Sequence, residues 1–292
     1  MSDGSRVGTS ARVTAPKIFD RRTRRLRRDR IAPAWRDHAF LCDWMVEGLV
    51  DRLSSVTREF RHILDLGCFD GAPIPGLPVD AKVARLDPGF AFARASGGVQ
   101  GDEDRLPFAD GSFDLIMSAG VLDQVSDLPG ALALARRALK PDGLLLAAFL
   151  GAGSLPALRA AMRAGDGDRA AARLHPQVDV RSAGDLLVRA GFALPVADVE
   201  TLDVRYASLF GLIRDLRGMG VTSLLHDRAP LDRAIITRAA AAFADMAEPD
   251  GKVRERFNAI VLTAWSPAPS QPKPARRGSG GASLADALKP KG

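Results

Sequence analysis

Cysteine is scarce in this sequence. Cys42 and Cys68 stand alone, too few for a disulfide framework and spaced for no metal site, which fits a reducing compartment. The histidines are His38, His62, His175 and His226, and their spacing does not assemble a 2-His-1-carboxylate iron site, so no metal is expected. His175 has no visible partner and reads as structural. No Ser/His/Asp or Cys/His nucleophile set stands out. There is no apolar run of the length that crosses a bilayer, and no internal repeat. The arginine-rich N-terminal region lacks a following apolar stretch, so no secretory or twin-arginine signal is expected. The Ala/Arg-rich composition favours a bacterial cytoplasm, with the mitochondrial matrix as the other candidate.

Net charge is also less informative than it looks. The total is +6, but Lys17 to Arg30 alone carries +6, the stretch from Pro267 onward +4, and Met1 to Pro16 +1. The middle of the chain is therefore near −5, and a basic nucleic-acid face on the folded domain is not indicated. Hydrophobic residues make up 46%, enough for a large core across one α/β domain.

What is present centres on Ile63 to Asp87. Ile63-Leu64-Asp65-Leu66 is a short apolar run suited to a parallel strand covered on both faces. Gly67 and Gly71 free the backbone for a sharp turn or a close approach to a ligand. Val83 to Leu86 is a second strand, closed by Asp87. An acid 22 residues beyond Asp65 stands near the distance at which such a residue reaches ribose hydroxyls. Gly101-Asp102-Glu103, Leu106-Pro107-Phe108, Phe113-Asp114-Leu115-Ile116 and Leu139-Lys140-Pro141-Asp142-Gly143 follow in order.

That series resembles the class I S-adenosylmethionine (SAM) methyltransferases over about Arg61 to Leu150. The resemblance implies a doubly wound, Rossmann-like, mostly parallel seven-stranded sheet and SAM as cofactor. It assigns cofactor binding to Asp65, Gly67, Cys68, Gly71, Asp87, Asp102, Glu103 and Ser118, with Asp102 or the N–H beside it facing the adenine. Two features depart from the family. Phe69 stands where a third glycine is usual, and Pro73, Pro75 and Pro78 cross the place of the helix that normally follows the turn. Proline inside a helix costs about 3 kcal/mol, so that helix should be absent or reduced to a turn.

The remaining elements read as follows. Residues 1–16 and 267–292 are polar and rich in small residues, expected to be disordered. Residues 17–58 form a basic N-terminal helical segment, either a solvated basic face, a lid over the cofactor or a grip on an acidic partner. Trp35 to Leu53 has the apolar spacing of one helical face. Residues 59–266 form the methyltransferase-like domain, with cap helices at about 152–176 and 206–247. Pro88 to Gly98 looks too short and glycine-rich for a helix. Asp123 and Gln124, at the C-terminal end of the strand Phe113 to Ser118, are placed to meet a substrate, as is Tyr206. Leu128 to Leu139 reads as a helix and Leu144 to Leu150 as a strand. Ser182 to Gly191 reads as a helix capped by Ser182. Ala193 to Arg205 and Phe257 to Trp265 read as the last two strands, able to pair antiparallel.

Ile18-Phe19-Asp20-Arg21, the basic run to Arg30, Leu186 to Phe192 and Asp215-Leu216-Arg217-Gly218-Met219-Gly220 resemble one branch in particular. It is the methyltransferase-fold arginine hydroxylase of respiratory complex I assembly with its bacterial relatives. This implies a protein substrate, a complex I subunit. Gly153-Ser154-Leu155-Pro156 and Leu216 to Thr222 are also similar to the malonyl-carrier-protein methyltransferase of biotin synthesis, whose partner is an acyl carrier protein. A third reading is a non-catalytic assembly module that keeps the fold and has lost SAM.

Overall fold

A computed structural model describes residues 17–169 and 171–272. The ends expected to be disordered, 1–16 and 273–292, lie outside the described residues. Residues 267–272 are described and form a turn held by Gln271, whose Nε2 donates to Asp142 Oδ1 at 3.0 Å and to the Ser266 carbonyl at 2.9 Å.

Seven strands form one sheet: β1 (His62–Leu66), β2 (Lys82–Asp87), β3 (Val99–Gln100), β4 (Phe113–Ala119), β5 (Leu139–Leu150), β6 (Ala193–Tyr206) and β7 (Val253–Trp265). Their order is β3-β2-β1-β4-β5-β7-β6. β1 to β5 pair in parallel, and β7 lies antiparallel between β5 and β6. This is the expected doubly wound sheet with an antiparallel end. β4 and β5 are almost wholly buried, which is why they read as continuous apolar runs rather than alternations. β6 is the opposite edge and largely exposed.

The helices are α1 (Arg21–Ile31), α2 (Phe40–Ser54), α3 (Phe90–Ala95), α4 (Leu128–Ala138), α5 (Pro156–Asp166), α6 (Val180–Arg189), α7 (Leu209–Gly218) and α8 (Arg233–Ala244), with a 3-10 helix over Ala32–His38 between α1 and α2. Each departure from expectation has a local cause. No helix forms between β1 and β2, where the three prolines lie. A short helix, α3, does form after β2, because Asp29 on α1 accepts the Ala91 N–H at 2.8 Å and caps it from outside. β5 begins at Leu139 rather than Leu144, with a register shift opposite Phe113/Leu115 that absorbs Lys140 to Gly143. The cap of α6 is Asp179, which accepts the Ser182 N–H at 2.9 Å, so Ser182 lies inside the helix.

A cap is formed by α5, α7 and α8, which pack on one another through α8, with α5 against β7 and α7 against β6. Glu255 on β7 holds it down by accepting the Ala157 and Leu158 N–H groups at 3.1 and 2.8 Å, which satisfies the first turn of α5. The chain before α1 is stitched to the cap as well. Asp20 N–H donates to the Leu224 carbonyl at 2.8 Å and His226 N–H to the Ile18 carbonyl at 2.9 Å. Phe19 packs edge-on to His175, with ring centroids 4.7 Å apart.

Candidate functional site

The site lies along the C-terminal ends of β1, β2, β3 and β4, where ligands of open α/β sheets bind. β1 ends in the glycine turn. Gly67 has φ 83°, and a Cβ there would lie 2.5 Å from the Val121 side chain, so the turn needs glycine on both counts. Gly67 and Cys68 N–H groups donate to the Leu86 carbonyl at 2.8 and 3.1 Å, tying the turn to β2. Cys68 is packed beneath it, and burial pushes its thiol up to about 12, which makes it inert. Phe69 adopts φ 47°, an unusual backbone for a non-glycine residue. Its ring stacks on Trp35 at 3.9 Å and 5°. Ser118 is buried and donates to the Leu66 carbonyl at 2.9 Å, locking β4 to β1.

The acids come next, and each one faces an arginine of α1. Asp87 is fully buried. Its Oδ1 accepts Gly89 N–H at 2.7 Å and Arg28 Nε at 3.2 Å; its Oδ2 accepts Phe69 N–H at 3.0 Å and Arg28 Nη2. Glu103 is fully buried and forms a forked pair with Arg24, at 2.6 and 2.7 Å. Asp102 Oδ2 accepts Arg25 Nη2 at 2.6 Å and lies 3.1 Å from Arg21 Nη1. Arg28 Cζ also lies 3.6 Å from the centre of the Phe69 ring. The sequence suggested a solvated basic helix, a lid or a grip on a partner. In the fold, Arg24 and Arg28 are 4% and 1% exposed, so their counter-ions are internal and the helix is not merely solvated.

Two cavities flank this cluster. One, of about 250 Å³, is lined by Asp65, Gly67, Phe69, Asp70, Pro73 and Ser118 among others. Burial raises the Asp65 carboxyl to about 7, partly offset by Arg85. The other, of about 330 Å³, opens between the cap helices and is lined by Asp123, Leu150, Leu155, Met162, Ile213 and Arg217 among others. A gap of about 20 Å³ shares Trp35 and Phe69 with the first and Asp123, Leu150 and Val221 with the second. Asp123 Oδ1 is shut off from solvent and has no hydrogen-bond partner, and burial raises its carboxyl to about 6. Gln124 is buried beside it in sequence, also with its Oε1 unpartnered, but does not line the cavity. Tyr206 is buried at the end of β6 and lines neither cavity. Gly71, with φ 69°, does not line the first cavity, and a Cβ there would lie 2.5 Å from Ser96 and 3.0 Å from Arg85.

Sequence reasoning had no means of finding Arg24, Arg28, Trp35 or Arg217 as parts of the site. The two cation–carboxylate pairs join residues 59 and 79 apart. Among the described residues, no group of three or more His, Cys, Asp or Glu could hold a metal ion, and no helix is long and apolar enough to cross a membrane.

SAM is the cofactor that the family resemblance implies, and these residues fit it by halves. The cavity at Asp65 and Ser118 has room for its amino-acid end. The adenosine end does not fit while α1 is docked, because a carboxylate has about four acceptor positions and all those of Asp87 are filled.

Known proteins resemble this chain in sequence and in fold. The family described as methyltransferase domain matches residues 64–147. The protein named arginine-hydroxylase NDUFAF5, mitochondrial, of Danio rerio is 32% identical, over 93% of this chain and 90% of that one. The malonyl-[acyl-carrier protein] O-methyltransferase of Methylovorus sp. strain MP688 is 31% identical, over 82% of this chain and 86% of that one. Among solved structures, the YcgJ protein of Bacillus subtilis superposes with a TM-score of 0.53 at 19% identity, covering 76% of this chain and 99% of that one; it shares the fold. The chain belongs to the SAM-dependent methyltransferase family, as the motif series from Asp65 to Gly143 implied.

Proposed function

We infer that this chain is a family enzyme acting on a protein, and that it receives an arginine side chain of a respiratory complex I subunit in the cavity between the cap and the sheet. The observation that carries this reading is Asp123. A carboxylate oxygen closed off from solvent, without a partner, beside a mostly apolar cavity, is a costly arrangement unless a cationic group completes it. A guanidinium suits that place, since it can donate two parallel N–H groups to one carboxylate while its stem lies along Leu150, Leu155 and Met162. The arginine-hydroxylase name of the Danio rerio relative points to the same side chain.

In this reading each residue has a physical task. Asp123 holds and orients the substrate guanidinium at the gap between the two cavities. Trp35 and Phe69 form the wall of that gap and exclude water. Asp65 and Ser118 line the cavity for the amino-acid end of SAM, whose sulfonium supplies an already activated methyl group.

The test is binding of an arginine-containing peptide from a subunit of the quinone-reducing arm of complex I to the purified chain, by calorimetry at several pH values. Capture should strengthen as pH rises through about 6, where the Asp123 carboxyl ionises. Asp123→Asn should weaken it by roughly ten-fold or more, about 1.4 kcal/mol or more for a lost charge-assisted pair. It should also flatten the pH dependence. Unchanged binding by Asp123→Asn would remove the reading.

A second reading rests on Arg217, which lines the same cavity and is exposed. An anionic acyl group, such as the malonyl thioester of a carrier protein, would pair with it rather than with Asp123. In that case Arg217→Ala, and not Asp123→Asn, abolishes binding, and malonylated carrier protein outcompetes the peptide.

A further inference from the structure

The acids to which the family resemblance gives the ribose and the adenine are already occupied, Asp87 at both oxygens and Asp102 at Oδ2, and the occupying groups come from this chain. Arg28 presents two N–H donors, Nε and Nη2, to the two oxygens of Asp87. A ribose presents the same number of donors, its two adjacent hydroxyls, to such a carboxylate. The other two acceptor positions of Asp87 are taken by the Phe69 N–H of the glycine turn and the Gly89 N–H at the start of α3, neither of which belongs to α1. Beyond Asp87, Arg24 and Arg25 take Glu103 and Asp102. The flat guanidinium of Arg28 lies against the Phe69 ring. Residues 21, 24, 25 and 28 share one helical face at i, i+3, i+4 spacing, so the whole row faces the acids together, with Arg24 and Arg28 buried among them.

We propose that α1 is the resident ligand of the nucleoside half of the pocket, and that a nucleoside cofactor binds only by displacing it. The proposal rests on the reading of Asp87 and Asp102 as nucleoside-binding acids. The fit of the helix is built in. At Gly89 an added Cβ would lie 2.6 Å from Arg28 Cβ, so a residue without a side chain is what lets the helix backbone come this close. Asp29 on the same helix caps α3. The docked state is nevertheless incompletely satisfied, as an exchangeable contact requires. Arg24 Nε, Arg25 Nε, Arg28 Nη1 and Asp102 Oδ1 are buried without partners. Displacement would carry four arginines into water and leave three acids to the incoming adenosine.

A site competent for only part of the time binds with its affinity multiplied by that fraction, its Kd being divided by it. Anything that loosens α1 should therefore tighten nucleoside binding, whereas loosening an ordinary lid would weaken it. The experiment is calorimetric titration of the full chain with S-adenosylhomocysteine, using the wild type, Arg28→Ala and Gly89→Ala. Gly89 has ordinary backbone angles, φ −80° and ψ 128°, so alanine there changes no charge and strains no turn. It keeps the test valid if Arg28→Ala folds poorly. Both variants should bind at least about ten-fold more tightly than the wild type. Hydrogen exchange over residues 21–31 should speed up in the wild type when ligand is added. Equal or weaker binding by the variants, or slower exchange with ligand, would overturn displacement while leaving the cofactor reading intact. No binding by any of the three proteins would overturn both.

Discussion

Asp65 and Asp87 stand at the ends of neighbouring strands, and their surroundings set opposite fates. Asp87 is met by four donors. Asp65 faces the smaller cavity, where burial raises it from 3.8 to about 7, partly offset by the Arg85 charge. A raised carboxyl pKa is a pH-dependent cost to the fold. As pH climbs from about 4 to about 7 the unfolded chain gives up this proton and the folded chain retains it, so stability falls through that window and levels off above it. Asp65→Asn has no such proton. It should raise stability by ~1–3 kcal/mol at pH 8 and by less at pH 5, as read from urea melts at the two pH values. A gain that does not depend on pH would mean that burial of the charge is not what is being relieved. A residue kept at such a cost is in keeping with a site for a cationic group, the ammonium of an amino-acid moiety being one.

At the scale of elements, α1 behaves as part of the site rather than as an appendage. It supplies the counter-charges for Asp87, Asp102 and Glu103, and through Asp29 the cap of α3. α3 is only six residues long and its Gly89 N-cap offers no side chain, so Asp29 is its external cap. Asp29→Ala should cost about 0.5–2 kcal/mol, in the range of a lost N-cap. The loss should appear as faster hydrogen exchange in residues 90–95 and 21–31 together. Faster exchange in α3 alone would show that α1 is held by its arginines and draws nothing from the cap. The cap domain is anchored by similar means, with Glu255 closing α5 and the strand-like contact of residues 18–20 with 224–226 closing the cap onto the start of α1.

For the whole molecule, the charge distribution resolves into an internal one. The central part of the chain is acidic and α1 is basic, and much of that opposition is spent within the fold. Salt screens exposed charges over about 8–10 Å but acts weakly on pairs shut off from water. Arg24–Glu103 and Arg28–Asp87 have side chains at most 5% exposed, while Arg25 is 43% exposed. Raising ionic strength should therefore leave the hydrogen exchange of α1 nearly unchanged, with a difference of under about 0.5 kcal/mol in opening free energy. A large salt-induced opening would mean that the exposed pairs, Arg25 and Arg21 with Asp102, hold the helix in place.

The sequence by itself determined the sheet and its family. The apolar runs of β1, β4 and β5, the glycines at 67 and 71 and the acids at 87 and 102 are local signals, and each follows from a backbone or burial requirement that a short window contains. The loss of the helix after β1 was legible too, because proline acts on its own turn. Other features depended on partners distant in the chain. α3 was missed because its cap comes from residue 29, and α6 was given the wrong cap because Asp179 and Ser182 both suit that role until the backbone is seen. Above all, only the tertiary structure decided what the basic run does. Arg28 and Asp87 are 59 residues apart, Arg24 and Glu103 79, and no periodicity relates them. A row of arginines on a helix looks the same whether water, a partner or a pocket of the same protein neutralises it. The choice belongs to whichever surface supplies buried acids at the right spacing, and that surface exists only once β1, β2 and β3 lie side by side.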